Sequence, residues 1–233
     1  MRACIGQAVP TPFGVKVGGQ TAAFLDRQTS LGAHLPIALA LVAATTFAIL
    51  FLMTGSVILP LKALVMNLLS LSAAFGLLVL IFQDGRLEGL LGYSSQGALE
   101  STQPVLLFAV AFGLSTDYGV FLLGRIKEGH DRGLDTSEAV AVGLERTGRI
   151  VSAAALLFCV AIGAFATSQI VFIKELGVGT ALAVLIDATI VRALLVPSLM
   201  ALLGRWNWWA PRPLRRLHAR IGLSEGPRAP APA

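Results

Sequence analysis

Residues 112–123 read FGLSTDYGVFLL and lie inside an apolar segment that runs from 104 to 126. A segment of this length can cross a bilayer, which takes about 20 apolar residues. Asp117 lies near its middle, where inserting a charged side chain costs roughly 2.5–3.5 kcal/mol. Because that cost needs a compensating partner or a function, Asp117 and the hydroxyl of Tyr118 predict a proton-binding site. The alternative is a hydrogen-bonded pair that only fixes helix packing.

The composition is that of an integral membrane protein. Of the 233 residues, 55% are hydrophobic and 13% are charged, whereas soluble domains have about 25% charged residues. The net charge of +5 comes from basic residues at segment ends and in the C-terminal tail. This placement indicates membrane topology and argues against nucleic-acid binding. The two cysteines do not indicate a disulfide framework.

The fold class predicted from these features is an all-α membrane protein with a bundle of five transmembrane helices at 34–209. Each of five apolar segments is long enough to span a membrane. The spans are placed at about 34–54, 60–82, 104–126, 149–171 and 175–203.

The remaining parts of the chain are assigned to the two membrane surfaces. Residues 1–33 predict the end of an extracytoplasmic domain, with a short strand at 15–17 and a short amphipathic helix at 20–30. Residues 137–144 predict an amphipathic helix at the cytoplasmic surface; the alternative is a solvated loop. Residues 210–233 predict a basic, disordered cytoplasmic tail.

The basic residues are divided unequally between the two ends of the predicted bundle. Twelve of the eighteen Lys and Arg fall on one side, five on the other, and Arg192 lies within a span. The positive-inside rule places the richer side in the cytoplasm. The chain is therefore predicted to cross the plasma membrane with its N-terminus outside and its C-terminus inside. Trp206, Trp208 and Trp209 predict an aromatic anchor at the cytoplasmic interface.

Three ionisable residues lie inside the predicted spans, namely Asp117, Asp187 and Arg192. Asp117 is thirteen residues past Pro104 and Asp187 is twelve past Glu175. Both carboxylates then lie about 18–20 Å below the outer surface and could face a common polar pocket. Arg192 lies five residues, or about 140°, beyond Asp187, which is poor geometry for a direct pair within an α-helix. Arg192 is expected to reach inward or towards the cytoplasm; the alternative is a purely structural counter-ion.

Proline and small residues predict how the helices begin and pack. Pro36 and Pro104 suit first helical turns, where the missing N–H is not needed. Gly113 lies one turn before Asp117, and Gly177 precedes Asp187 in the last span. Small residues of this kind let helix backbones approach each other in membrane bundles.

Enzyme chemistry has little support in the sequence. The three histidines lie far apart, without the spacing of a metal site. The sequence carries no Walker-type phosphate loop. No enzymatic activity, cofactor or metal is therefore predicted.

An ordered series of motifs resembles the MMPL family ("mycobacterial membrane protein large"), transporters of the resistance-nodulation-division superfamily. The similarity covers about residues 17–217. The motifs are NLLSL at 67–71, FQDG at 82–85, FGLSTDY at 112–118, AAA at 153–155, LGVG at 176–179, DAT at 187–189 with Arg192, PSLM at 197–200 and GRWNWW at 204–209. The family often has MDYE where this chain has TDYG at 116–119, so position 119 lacks the family's acid.

The resemblance implies proton-driven export of lipids or other hydrophobic compounds. It assigns Asp117 and Tyr118 to one half of a proton relay, and Asp187 and Arg192 to the polar pair of the last span. The family's polypeptide has two similar halves, and this chain resembles the last five spans with the end of an outside domain. The implied partners are membrane lipids, a hydrophobic substrate, and the N-terminal half or a second chain that supplies the other relay pair.

Two other interpretations remain open from the sequence. The chain could be a truncated remnant or an inert membrane bundle without transport activity of its own. It could also be a protein-export helper or a sterol-sensing-type bundle, which share the superfamily's architecture. The DNA upstream of Met1 would separate a transporter half from a remnant.

Overall fold

The computed structural model describes residues 19–95, 97–100 and 102–221, without the side chains of Gln20 and Thr21. These residues form helices and connecting turns and contain no strand. Five helices are long and apolar enough to cross a membrane, which confirms the predicted all-α membrane fold. The strand predicted at 15–17 and residues 222–233 of the predicted tail lie outside the described residues. Within that tail, Arg212–Ile221 is an α-helix, so the prediction of disorder is wrong for this part.

The helices follow one another closely along the chain. They are α1 Gln20–Thr54, α2 Ile58–Leu78, α3 Glu88–Leu91, α4 Gln103–Asp131, α5 Thr136–Gly163, α6 Val171–Ile186, α7 Val196–Leu203 and α8 Arg212–Ile221. The π-helical segments Val79–Gln83 and Asp187–Leu195 continue α2 and α6. The 3-10 turns Ala164–Thr167 and Gly204–Trp208 follow α5 and α7.

Residues 1–43 and 44–233 form two compact units. In the first unit, the described residues belong to α1 and most of their side chains are exposed. The stretch predicted as a separate amphipathic helix at 20–30 is the beginning of α1. Pro36 lies in the interior of this helix, so its expected place in a first helical turn is wrong.

The second unit has two apolar clusters at opposite ends of its helices. One contains Leu59 of α2 and Ile126 of α4 with Met200 of α7. The other contains Leu78 of α2 and Leu107 of α4. All five side chains are at most 1% exposed. A layer of buried polar residues lies between these clusters along the sequence of each helix, and it contains the candidate site.

Charged and polar residues fix the ends of α4 and α5. Pro104 lies in the first turn of α4, as predicted. Asp135 caps α5, where its carboxylate accepts a hydrogen bond from the Ser137 amide at 3.3 Å. The amphipathic helix predicted at 137–144 is helical, but it forms the first turns of α5, which continues to Gly163.

Two glycines of α6 allow close approaches to neighbouring segments. A Cβ on Gly177 of α6 would lie 2.6 Å from the Cβ of Phe165 and 2.8 Å from the Ile162 carbonyl oxygen. A Cβ on Gly179 would lie 2.7 Å from Leu78. Around Gly113 no described atom comes within 4 Å of such a Cβ. The predicted role in close packing is therefore seen at Gly177 and not at Gly113.

Lys174 connects α6 to the short helix α3. It is only 4% exposed, although the sequence places it at a loop boundary. Its ammonium group donates hydrogen bonds to the carbonyl oxygens of Leu91 and, at 3.2 Å, Gly92. These carbonyls end α3, so a cation here satisfies acceptors that the helix leaves free.

Candidate functional site in the intramembrane polar layer

The centre of the polar layer is an ion pair between Asp187 and Arg192. The Arg192 Nε donates to Asp187 Oδ2 at 2.7 Å, and the two side chains are 8% and 9% exposed. Both residues belong to the π-helical segment Asp187–Leu195. A π-helix joins residues five apart, whereas an α-helix joins residues four apart. The expectation that the spacing is poor for a direct pair is wrong because this part of the span is not α-helical.

Ser115 of α4 connects the ion pair to α2. Its hydroxyl oxygen lies 2.8 Å from Asp187 Oδ1 and 2.7 Å from Asn67 Oδ1. A serine hydroxyl carries one hydrogen, so it donates to one of these two acceptors at a time. Asn67 in turn donates to the Thr116 hydroxyl at 3.2 Å. Three helices are thus joined through one hydroxyl group.

Arg192 directs its other donors towards α4. Its Nη2 donates to the Ser115 carbonyl oxygen and lies 3.4 Å from the Ser115 hydroxyl. The guanidinium carbon lies 5.3 Å from the centre of the Tyr118 ring, within the range of a cation–π contact. The buried Nη1 has no hydrogen-bond partner among the described residues. Tyr118, Asp187 and Arg192 therefore lie together, although the sequence pairs Tyr118 with Asp117.

Asp117 lies elsewhere on α4. Its side chain is exposed, whereas Ser115 is buried. Two residues correspond to about 200° around an α-helix, which puts Asp117 on the face opposite Ser115. Within the described part of the chain it makes no hydrogen bond or ion pair. The shared pocket that the sequence suggested for two carboxylates contains Asp187 and Ser115 instead.

Two small cavities adjoin the network. The first, about 10 Å³, is lined by Asn67, Ser115, Tyr118 and Asp187 together with apolar side chains. The second, about 50 Å³, extends from Asp187 past Arg192 to Lys62. A water molecule needs roughly 10–15 Å³ measured in this way. The second cavity thus has room for water next to a guanidinium group that has a free donor.

Sequence reasoning missed Ser115 and Asn67 as site residues. Both stand in the motifs NLLSL and FGLSTDY, but neither is ionisable. The signal that points to them is a hydrogen-bonding side chain inside a span, since such groups need partners in a bilayer. Across the described residues, no group of three or more His, Cys, Asp or Glu is placed to hold a metal ion.

Five apolar helices, one of which continues into a segment with a buried ion pair, define a polytopic membrane protein with charged residues inside its spans. Comparison with known proteins identifies the family. The model of the MMPL family matches residues 1–227, and the chain belongs to this family.

Named relatives are similar over most of this chain. A membrane protein of Streptomyces coelicolor is 50% identical over 94% of the chain. The trehalose monomycolate exporter MmpL3 of Mycobacterium tuberculosis is 45% identical over 94%. The heme uptake protein MmpL11 of the same species is 42% identical over 85%. The chain spans only 31%, 23% and 20% of the length of these three relatives, respectively.

Proposed function

We propose that this chain is the C-terminal membrane part of a proton-driven exporter of lipids or other hydrophobic compounds. The observation that carries the proposal is the buried Asp187–Arg192 pair, joined to α4 and α2 through Ser115. A carboxylate that gains or loses a proton would change its bond to the arginine and to the serine. Protonation would thereby alter contacts between three helices, which is what coupling to transport requires.

Asp117 supports a second part of the relay. It is an exposed acid in the middle of a membrane-spanning helix, where a lone charge is costly. We infer that its partners come from the rest of the transporter, whether that belongs to the same polypeptide or to another chain. Tyr118 lies next to it and faces Arg192, so it can link the exposed acid to the buried pair.

Lipid export follows from the similarity to MmpL3 and remains a proposal for this chain. MmpL3 is named as an exporter of trehalose monomycolate and MmpL11 as a heme uptake protein. Both cargoes named are amphipathic or apolar molecules. These names support a hydrophobic cargo for this chain, and the proposal names no particular compound.

The test uses a transporter that contains this chain together with its remaining half, reconstituted in vesicles with a fluorescent lipid. Asp187→Asn and Asp117→Asn should each abolish export that depends on the proton gradient, because an amide keeps the size of the acid but cannot bind and release its proton. Asp131→Asn is the matched control. Asp131 lies on α4, as Asp117 does, but at the end of the helix and outside the polar layer, where it pairs with Lys127.

Wild-type export rates in both Asn variants, with unchanged dependence on the gradient, would reject the relay. Loss of export together with loss of the folded protein would point to a packing role. Size-exclusion profiles and thermal unfolding of each variant separate these outcomes.

A further inference from the structure

The last described helix, α8, has two chemically different faces. At about 100° per residue, Leu214, Leu217 and Ile221 form one stripe. The other side of the helix carries four exposed arginines: Arg212, Arg215, Arg216 and Arg220. The described part of the chain gives these arginines no acidic partner in an ion pair. An amphipathic helix with this arrangement is typical of a membrane–water interface.

Contacts hold α8 beside the end of a span. The His218 Nε2 donates to the Leu52 carbonyl oxygen at 3.1 Å, and its ring meets the edge of Phe51 at a centroid distance of 6.0 Å. His218 also fills the space beside Gly55, 2.9 Å from where a Cβ would lie. The helix is thereby fixed next to the point at which α1 ends.

Apolar side chains near these contacts remain exposed. Leu217 and Ile221 are 45% and 55% exposed, and Trp206 and Trp209, just before α8, are 65% and 49% exposed. Trp208 differs, since it stacks on His130 at 3.9 Å. Exposed tryptophans directly after a span lie at the level of lipid headgroups. The apolar stripe can therefore enter the bilayer while the arginines stay at its surface.

We propose that α8 is a binding site for anionic lipid headgroups. Arginine pairs with phosphate oxygens through two parallel N–H groups, and the four arginines lie on a helix only about 15 Å long. Phosphate groups of the bilayer are continuously within reach of a helix attached to the end of a span. The positive charge of the arginine face attracts anionic lipids, whereas zwitterionic lipids have no net charge and are attracted less. This site is independent of the proposed proton relay.

The three tryptophans of the chain, all within 206–209, provide the test. The full chain is reconstituted in vesicles that contain phosphatidylglycerol or phosphatidylcholine with brominated acyl chains at equal mole fraction. Bromine quenches tryptophan only at close range, so quenching reports which lipid is enriched near α8. The anionic lipid should be preferred about threefold or more. Added salt should reduce the preference because it screens surface charge.

Replacing both Arg215 and Arg216 by Gln should bring the ratio of quenching by the anionic lipid to quenching by the zwitterionic lipid close to one. The matched control is Arg125→Gln with Arg132→Gln, which removes the same charge from the end of α4. Both of these arginines pair with Glu128. This control should keep the preference for the anionic lipid. All variants are surface changes that can be checked for folding by size exclusion. Equal quenching by both lipids in the unmodified chain would overturn the proposal and favour an acidic protein segment as the partner of α8. A preference that survives the Arg215 and Arg216 changes, or is lost equally in the control, would also overturn it.

Discussion

At the scale of single residues, the site depends on satisfying charges that water cannot reach. Asp187 and Arg192 lie deep within a span and are each less than a tenth exposed. One oxygen of the carboxylate accepts from Arg192 at 2.7 Å, and the other lies 2.8 Å from the Ser115 hydroxyl. Such a pair adds little net stability compared with apolar residues of the same size, but breaking it leaves one charge buried and alone.

The first prediction concerns the loss of one partner of this pair. Arg192→Met should destabilise the folded chain by about 3–5 kcal/mol, because it leaves the Asp187 carboxylate without its cation. Combining it with Asp187→Asn should recover part of the loss, since no buried charge then remains. Thermal unfolding in detergent, followed by circular dichroism, measures both variants. Additive losses in the double variant would show that the two side chains do not act as a pair.

The second prediction concerns the Ser115 hydroxyl. Ser115→Ala removes the only hydroxyl among the described residues that contacts both Asp187 and Asn67, and should cost about 1 kcal/mol of stability. In the complete transporter it should also lower proton-coupled export, because the acid loses its connection to α2. Ser152→Ala is a suitable control, since Ser152 is an exposed serine within α5. Unchanged export in Ser115→Ala would remove Ser115 from the relay.

At the scale of helices, the sequence predicts the number and type of elements well but not their ends. Apolar length alone determines five long helices, because a bilayer requires it. The start of α5 was assigned to a surface helix at 137–144, yet Asp135 caps a single helix that runs on into the membrane. Charge alone does not end a helix whose backbone hydrogen bonds can continue.

The candidate site shows the same limit. Asp187, Arg192 and Tyr118 could be grouped from the sequence because ionisable residues are rare inside spans. The direct pair could not be foreseen, since it depends on the π-helical segment Asp187–Leu195, which the apolar pattern of the span does not indicate. The exposed position of Asp117 follows from the rotation of α4, which packing against neighbouring helices determines.

The third prediction tests the close approach at Gly177. Gly177→Ala would place a Cβ 2.6 Å from Phe165 and 2.8 Å from a backbone oxygen, so the turn after α5 must shift. Overpacking of this kind costs about 1–3 kcal/mol, and the variant should unfold at a lower temperature. Gly113→Ala is the matched control, a glycine in a spanning helix with open space around it among the described residues. Equal stability of both variants would contradict the packing at Gly177.

At the scale of the whole molecule, the chain is much shorter than the relatives that it matches. The relatives are about three to four times as long, since 94% and 85% of this chain match 31% and 20% of their length. Asp117 on α4 is exposed, whereas Asp187, in the π-helical segment that continues α6, is paired with Arg192. We therefore expect residues 1–233 alone, expressed in a sensitised host, to give no proton-dependent efflux of a lipophilic dye. Robust efflux without any partner would show that the chain is sufficient.

The final prediction is the membrane orientation, with the N-terminus outside and the C-terminus in the cytoplasm. It rests on twelve basic residues on one side against five on the other. Ser94 and Ser137 are both exposed; Ser94 lies before α4, and Ser137 lies after it, in the first turn of α5. In a chain whose Cys4 and Cys159 are replaced by serine, Ser94→Cys should react with a membrane-impermeant maleimide in intact cells. Ser137→Cys should react only after the cells are opened. Labelling of Ser137→Cys from outside would reverse the topology, and would place the arginines of α8 at the outer surface.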